Sequence, residues 1–231
     1  MEFAGACGHP GFGICLYKKV WPEESNLAER LENAIGDSED VCYSWHKALV
    51  GDLQEMPDYR DCHDFKLRDS DLENIPEEFE DAGKVYSEYI TEVRHCVADY
   101  TRRYNIEMEY EEATNFVKYT EGQHFSVHAD HGFSYSATVS TVGYLNNAYE
   151  GGELEFPYLD IRFLPEAGDL LVLPSTFIYA HQSLPVTEGI KYSGVTMFDY
   201  NDRNHQNHGA YAEVKSSSVD DENPQVTTAG T

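Results

Sequence analysis

From residue 106 to residue 200 the chain is a close succession of short runs rich in β-branched and aromatic residues. Each run is bounded by Gly, Pro, Asn or Asp, which favour turns and interrupt strands. The runs are TNFVKYT, HFSVHAD, SATVSTVGYLN, ELEFP, IRFLP, DLLVLP, FIYAH and KYSGVTMFDY. Several short strands in close succession, with no visible repeat, predict a mainly β core built as a sandwich or barrel.

The first 105 residues have a different pattern, in which two helices precede this core. Pro22 opens a helix that reaches about Ile35, because apolar residues recur there every four positions. Pro76 opens a longer helix to about Tyr104, whose broad apolar face should pack against a sheet. The segment 37–72 is mixed, and we expect loops and short elements across the entrance of the core.

The chain has 231 residues and is 41% hydrophobic, which is enough for one well-filled domain. We expect that domain to span residues 1–214, with residues 1–105 as a helical and loop buttress and 106–200 as the strand core. Residues 215–231 lose all periodicity and are polar, so we expect a disordered tail there.

The formal charge is −26, from 42 acidic and 16 basic side chains. Such a surface repels phosphate backbones, so we expect no nucleic-acid partner. It favours basic peptides or small metabolites, although solubility alone also accounts for the charge. The acidity carries no information about the reaction.

Five cysteines occur, an odd number, and none are arranged as CxxC. This argues against a zinc ribbon or a complete disulfide framework and favours a reducing compartment. The N-terminus lacks the pattern of a signal peptide, and no apolar stretch approaches the roughly 20 residues that span a membrane. We therefore expect a soluble, intracellular protein, cytoplasmic and with no membrane partner.

The motif His128-Ala129-Asp130 closes the run HFSVHAD. Strand side chains alternate with period two, so His128 and Asp130 should leave the same face. With His181, which closes FIYAH, they form a candidate 2-His-1-carboxylate triad, the ligand set typical of non-haem Fe(II) oxygenases. An HxD pair alone also arises by chance and is a weak signal.

Lys191 lies ten positions after His181, within the apolar run GIKYSGVTMF. A buried ammonium needs a partner, which a dianionic cosubstrate would supply. The alternative is a lysine at a solvent-facing strand position, the usual place for this residue type.

Several of these stretches together resemble one family. YTEGQHFSVHAD, TVGYLN, GGELEF, PEAGDLL and HQSLPVTEGIKY follow one another in that order across Tyr119–Tyr192. The stretch resembles the catalytic domain of prolyl 4-hydroxylases in the 2-oxoglutarate/Fe(II) dioxygenase superfamily. The resemblance implies a double-stranded β-helix, that is, a jelly-roll barrel with flanking helices.

The resemblance also implies roles for individual residues. His128, Asp130 and His181 match the iron ligands, and Lys191 matches the lysine that pairs with the distal carboxylate of 2-oxoglutarate. Tyr119 matches a tyrosine that helps to hold this carboxylate. The cofactors implied are Fe(II), 2-oxoglutarate and O2, with ascorbate as an optional reductant, and no catalytic residue is implied beyond the ligands.

Tyr144 matches a strand position that lines the cosubstrate pocket in some relatives, and ordinary core packing is the alternative. The other histidines are expected outside the metal site. His131 should face away from Asp130, His124 should pack or lie at the surface, and His205 and His208 should be solvated near the tail. Gly151-Gly152 should form a tight turn with positive φ.

The resemblance implies hydroxylation of an unactivated C–H bond, with a peptidyl proline as the favoured substrate. Another side chain or a small metabolite is the alternative substrate. A metal-binding, cupin-like barrel without enzymatic activity is the alternative class. Departures from the family pattern, such as GGELEF and the missing arginine before GYLN, bear on the substrate more than on the iron.

Overall fold

A computed structural model of the chain describes residues 2–6, 13–50, 54–132, 135–203 and 205. The expected tail at 215–231 and His208 lie outside these residues. Within them the chain forms two α-helices, α1 (Leu27–Ile35) and α2 (Glu80–Tyr104), and sixteen β-strands. The strands are β1 (Glu2–Ala6), β2 (Cys15–Lys18), β3 (His46–Lys47), β4 (Arg60–Asp61), β5 (His63–Leu67), β6 (Tyr110–Glu111), β7 (Thr114–Tyr119), β8 (His124–His128), β9 (Val139–Tyr144), β10 (Tyr149–Gly151), β11 (Leu154–Phe156), β12 (Ile161–Phe163), β13 (Leu170–Pro174), β14 (His181–Ser183), β15 (Val186–Gly189) and β16 (Lys191–Asp199).

The strands form two main antiparallel sheets and one strand pair. The larger sheet has the order β1-β2-β13-β9-β16-β7-β5-β3, and β6 adds to it by pairing with β16. The smaller sheet has the order β12-β11-β14-β8-β4, and β10 pairs with β15 separately. Strands that are distant in sequence are therefore neighbours in both sheets, as expected for the predicted jelly-roll arrangement.

The space between the two sheets is the first part of the core. Val142 and Tyr144 of β9 pack there with Leu171 of β13 and with Leu154 and Phe156 of β11. Strand side chains alternate between the two faces of a sheet. The residues of β9 that alternate with Val142 and Tyr144, and the residues of β16 paired with them, therefore face the opposite side of the larger sheet. The inner face of the larger sheet is thus the surface that can carry a site between the sheets.

The helices cover the outer face of the larger sheet and complete the core. Tyr89 of α2 lies on Gly143 and Gly194, which are direct partners of β9 and β16. A Cβ at Gly194 would lie 2.5 Å from Tyr89 Cζ, so only glycine admits this ring. The Tyr89 hydroxyl donates to the Gly194 carbonyl at 2.6 Å, and its ring stacks on Trp21.

The predicted elements can be compared with this arrangement. The mainly β fold with flanking helices is confirmed, and both helices begin later than predicted, because short 3-10 turns at Glu23–Ser25 and Glu77–Phe79 precede them. The prediction of a strand over FIYAH is wrong, since Phe177–Tyr179 is a 3-10 turn. The chain crosses there from β13 in the larger sheet to β14 in the smaller sheet. Among the described helices, neither is long and apolar enough to cross a membrane.

Candidate metal and cosubstrate site

The pairing of β8 with β14 places His128 directly opposite His181 in the smaller sheet. Beyond that pair the register shifts, so that Phe125 lies opposite Ser183 and β8 carries one extra residue. This bulge brings Phe125 beside His128, and their rings stack at a centroid distance of 3.5 Å. Asp130 follows two residues after the end of β8 and completes the group.

The ligand atoms of His128, Asp130 and His181 all lie within 4.8 Å of one another. His128 Nε2 is 3.5 Å from Asp130 Oδ1, and His181 Nε2 is 4.0 Å from Asp130 Oδ2. The structure therefore brings together the three predicted ligands, which come from two strands and the loop after one of them.

Hydrogen bonds on the far side of each imidazole set its orientation. His128 Nδ1 lies 2.9 Å from the Ser126 carbonyl, and His181 Nδ1 lies 3.0 Å from the Tyr179 carbonyl. A carbonyl only accepts, so we assign the proton of each neutral ring to Nδ1. The Nε2 lone pairs then face Asp130, which is the tautomer that a metal ligand requires.

The charge states at this centre also suit a cation. Burial acts to raise the pKa of Asp130, but the neighbouring imidazoles of His181 and His128 outweigh it and hold that pKa well below its usual range. Burial lowers the pKa of His181. Asp130 Oδ2 is buried and has no hydrogen-bond partner among the described residues. An ionised carboxylate with an unused oxygen, faced by the Nε2 atoms of two imidazoles, fits a divalent metal ion.

Lys191 is the second unusual feature of the interior, because only 2% of its surface is exposed. Its Nζ donates to the Gly152 carbonyl at 2.7 Å and to Ser183 Oγ at 2.9 Å. No described carboxylate forms an ion pair with it. Burial lowers the pKa of Lys191 to about 7, against an ordinary value of 10.5. The buried position of Lys191 excludes the solvent-facing alternative.

Both predicted tyrosines lie against this ammonium. Lys191 Nζ is 5.2 Å from the ring centroid of Tyr119 and 5.4 Å from that of Tyr144. Tyr119 is the direct partner of Lys191 between β7 and β16, so register alone brings these two residues together. Contact with a bound cosubstrate stays a prediction for both tyrosines.

Three further histidines lie outside the triad. His131 Nδ1 is engaged with the backbone of Ala137, and His124 lies by the Asp58 carbonyl, so neither joins the triad. The prediction that His205 is solvated is wrong, since only 6% of its surface is exposed. Its ring stacks on Tyr110, and its Nε2 lies 3.1 Å from Asp199 Oδ2.

Sequence reasoning missed several residues around Lys191. Ser183 bonds to the ammonium, and the only signal for it is its position two residues after His181 in β14. The Gly151-Gly152 turn has the predicted positive φ at both residues, and it also supplies a carbonyl to Lys191. Tyr149 packs on this turn and was assigned no role.

Comparison with known proteins agrees with this geometry. The family model described as the 2OG-Fe(II) oxygenase superfamily matches residues 114–199, which include the triad and Lys191. Residues 114–199 thus form a 2OG-Fe(II) oxygenase domain. The protein is a 2-oxoglutarate-dependent dioxygenase, and the predicted cofactors Fe(II), 2-oxoglutarate and O2 are confirmed at the level of the family.

Solved structures of prolyl hydroxylases share the fold. The prolyl hydroxylase of Trichoplax adhaerens, in complex with a hypoxia inducible factor oxygen degradation domain peptide fragment, has a TM-score of 0.63 and 14% identity over 84% of this chain and 86% of that one. The Pseudomonas putida prolyl-4-hydroxylase has a TM-score of 0.60 and 19% identity, covering 81% and 92%.

The viral collagen prolyl hydroxylase of Paramecium Bursaria Chlorella virus-1, in its 2OG complex, has a TM-score of 0.58 and 17% identity, covering 81% and 96%. At such identities the likeness of these structures establishes the double-stranded β-helix fold of the oxygenase alone. No curated protein sequence matches the chain at a significant level.

Proposed function

We propose that this oxygenase hydroxylates a peptidyl proline, with Fe(II) bound by His128, Asp130 and His181 and with 2-oxoglutarate anchored by Lys191. The observation that carries the proposal is the pairing of two features on one interior surface. A three-donor centre has an unused carboxylate oxygen, and a fully buried ammonium has no counter-ion among the described residues. Strand β14 links the two, because it carries His181 and also Ser183, which accepts a hydrogen bond from that ammonium.

The three donors suit a catalytic iron site, which needs open positions, better than a structural metal site with complete coordination. Two imidazoles and one carboxylate leave positions of an octahedral ion open for other ligands. Ser126 and Tyr179 hold the imidazoles through their backbone carbonyls, so the rings are oriented before any metal binds. Phe125 covers one face of His128 and further restricts its rotation.

Lys191 supplies the positive charge for the far carboxylate of 2-oxoglutarate. Its two hydrogen bonds, to the Gly152 carbonyl and to Ser183 Oγ, fix the direction of its third N–H. The rings of Tyr119 and Tyr144 stabilise the cation through their faces. These contacts orient the cosubstrate and keep water away from it.

When bound, the iron and its cosubstrate supply the oxidation of a C–H bond, and the protein supplies binding, orientation and a dry interior. Phe156, which packs between the two sheets, lies 5.5 Å from the ring of His181 and gives the centre an apolar neighbour. We assign no general acid or base, because the residues around the triad act by holding the ligands.

The choice of a peptidyl proline is supported by two observations. Proteins with this fold include prolyl hydroxylases, one of them in complex with a peptide fragment. The motif resemblance over Tyr119–Tyr192 is also to prolyl 4-hydroxylases. The strongly acidic chain favours peptides with basic residues around the proline. Its cytoplasmic location and the absence of a nucleic-acid partner stay predictions from the sequence.

Two assays test the proposal in order. With Fe(II) and O2, the protein should convert 2-oxoglutarate to succinate, and Asp130→Ala should abolish both this turnover and tight Fe(II) binding. A library of proline-containing peptides should then yield products heavier by one oxygen atom, at proline in fragment spectra. Succinate formation without any oxidised peptide would refute the proline substrate and retain the oxygenase, whereas metal binding undiminished in Asp130→Ala would refute the ligand set.

A further inference from the structure

Tyr149 lies at the same end of the interior as Lys191, and the proposed function gives it no role. It begins β10, and its ring packs on the cluster formed by Ala48, Cys62, Val117, Tyr119 and Val186. A Cβ placed on Gly152 would lie 3.4 Å from Tyr149 Cε2 and 3.1 Å from Lys191 Cδ. The tyrosine ring and the lysine stem therefore meet over the same glycine.

The hydroxyl of Tyr149 is buried and makes no hydrogen bond with any part of the chain that the structure describes. The hydroxyl of Tyr144 is likewise buried and has no hydrogen-bond partner among the described residues. A buried hydroxyl without a partner is unfavourable, and native proteins rarely retain one without a reason. Burial raises the pKa of Tyr144, and the neighbouring Tyr149 adds to the rise. Both groups are therefore protonated donors at neutral pH.

The donors around Lys191 match the needs of one carboxylate. Lys191 uses two of its three N–H groups on Gly152 and Ser183, and the third has no partner among the described residues. The ring of Tyr144 lies 5.4 Å from the ammonium, and the ring of Tyr149 meets the lysine stem at Gly152, so their two hydroxyls can add two more donors. A carboxylate accepts about four hydrogen bonds and brings the negative charge that the ammonium lacks.

We propose that Tyr149 donates its hydroxyl to the distal carboxylate of 2-oxoglutarate, beside Tyr144, whose place in this pocket the motif resemblance already implies. Tyr149 is then a cosubstrate-binding residue that belongs to the β10–β15 pair and not to either main sheet. This inference rests on the proposed anchoring of 2-oxoglutarate by Lys191. It gives the Gly151-Gly152 turn a function, since the turn positions both the lysine and the tyrosine.

The test is the affinity for two keto acids, measured by calorimetry on the full chain loaded with Mn(II). 2-Oxopentanoate has the same keto-acid head as 2-oxoglutarate and a methyl group in place of the distal carboxylate. Tyr149→Phe should weaken 2-oxoglutarate binding about tenfold or more, since it removes a hydrogen bond to a charged group. Binding of 2-oxopentanoate should change less than twofold.

Tyr100→Phe is the matched control, because it removes a buried hydroxyl that donates to the Gly13 carbonyl, away from Lys191. It should lower the melting temperature of the ligand-free protein and leave both affinities unchanged. Tyr149→Phe should not lower that melting temperature, because the hydroxyl makes no hydrogen bond with any described residue.

The outcomes separate this inference from the proposed function. If the wild type fails to bind 2-oxoglutarate, or Lys191→Met binds it as tightly as the wild type, the anchoring proposal falls and this inference with it. If Lys191→Met abolishes binding and Tyr149→Phe changes it less than twofold, only the role of Tyr149 is refuted. An equal loss for both keto acids would also refute it, because the hydroxyl would then not act on the distal carboxylate.

Discussion

The affinity for 2-oxoglutarate should depend on pH through a single proton on Lys191. Burial lowers the pKa of this lysine to about 7 in the ligand-free protein. Only the charged form can pair with a carboxylate, and the bound dianion in turn raises the pKa of the lysine. Above neutral pH the protein must therefore take up a proton in order to bind the cosubstrate.

The magnitude follows from this pKa. The dissociation constant is inversely proportional to the fraction of Lys191 that is charged, so it should be about 50-fold larger at about pH 9 than at about pH 7. Proton uptake should approach about one per 2-oxoglutarate at the higher pH. Calorimetry in buffers with different ionisation enthalpies measures both quantities on the Mn(II)-loaded chain.

Lys191→Arg is the informative control, because a guanidinium stays charged over this range. Whatever its absolute affinity, this variant should bind 2-oxoglutarate with no uptake of a proton near pH 8. A wild-type dissociation constant that is the same at both pH values, or binding without proton uptake, would refute the reasoning. It would mean that Lys191 is already charged in the ligand-free interior.

Two predictions concern the framework around the site. Gly194→Ala should reduce the free energy of unfolding by about 3 kcal/mol in urea titrations, because the new Cβ would overlap the ring of Tyr89, whereas Gly132→Ala meets no neighbouring atom and should be nearly neutral. Asp199→Ala removes the acceptor of Ser136, Thr138 and His205 and should cost about 3 kcal/mol. It should also weaken Fe(II) binding, since Ser136 and Thr138 belong to the loop that follows Asp130. Undiminished metal affinity in a destabilised Asp199→Ala would contradict that link.

The three candidate metal ligands could be selected from the sequence because each follows from a local pattern and a motif. Strand periodicity predicted a common face for His128 and Asp130, whereas β8 ends at His128 and Asp130 lies in the loop that follows. The order of the motifs added His181 and Lys191. The pairing of β8 with β14 supplies what the sequence does not contain, namely that His181 lies opposite His128. The bulge that stacks Phe125 on His128 also depends on the partner strand, so no local pattern predicts it.

His205 shows why the polar C-terminal region misled the prediction. Its neighbours in sequence are Asn, Asp and Gln, which suggest solvent exposure. Its contacts are with Tyr110 and with Asp199 at the end of β16, and the first of these is remote in sequence. The 3-10 turn at Phe177–Tyr179 has a similar cause, since apolar content predicted a strand and the crossing between sheets required a turn. In both cases tertiary contacts outweighed local composition.

One proton on Lys191 should also give the protein two opposite dependences of stability on pH. The unfolded chain keeps a lysine pKa near 10.5, so between about pH 7 and pH 10 it binds more protons than the folded, ligand-free protein. The contribution of this lysine to ligand-free stability therefore rises with pH over that range. The stabilisation by 2-oxoglutarate should fall over the same range, and a 50-fold weaker dissociation constant removes about 2.3 kcal/mol of it at saturating ligand. In Lys191→Met both trends should disappear together, because a neutral side chain neither destabilises the empty interior nor attracts the carboxylate. Burial of the ammonium destabilises the ligand-free protein, and a bound anion offsets that destabilisation. The interior therefore favours a ligand with a second carboxylate.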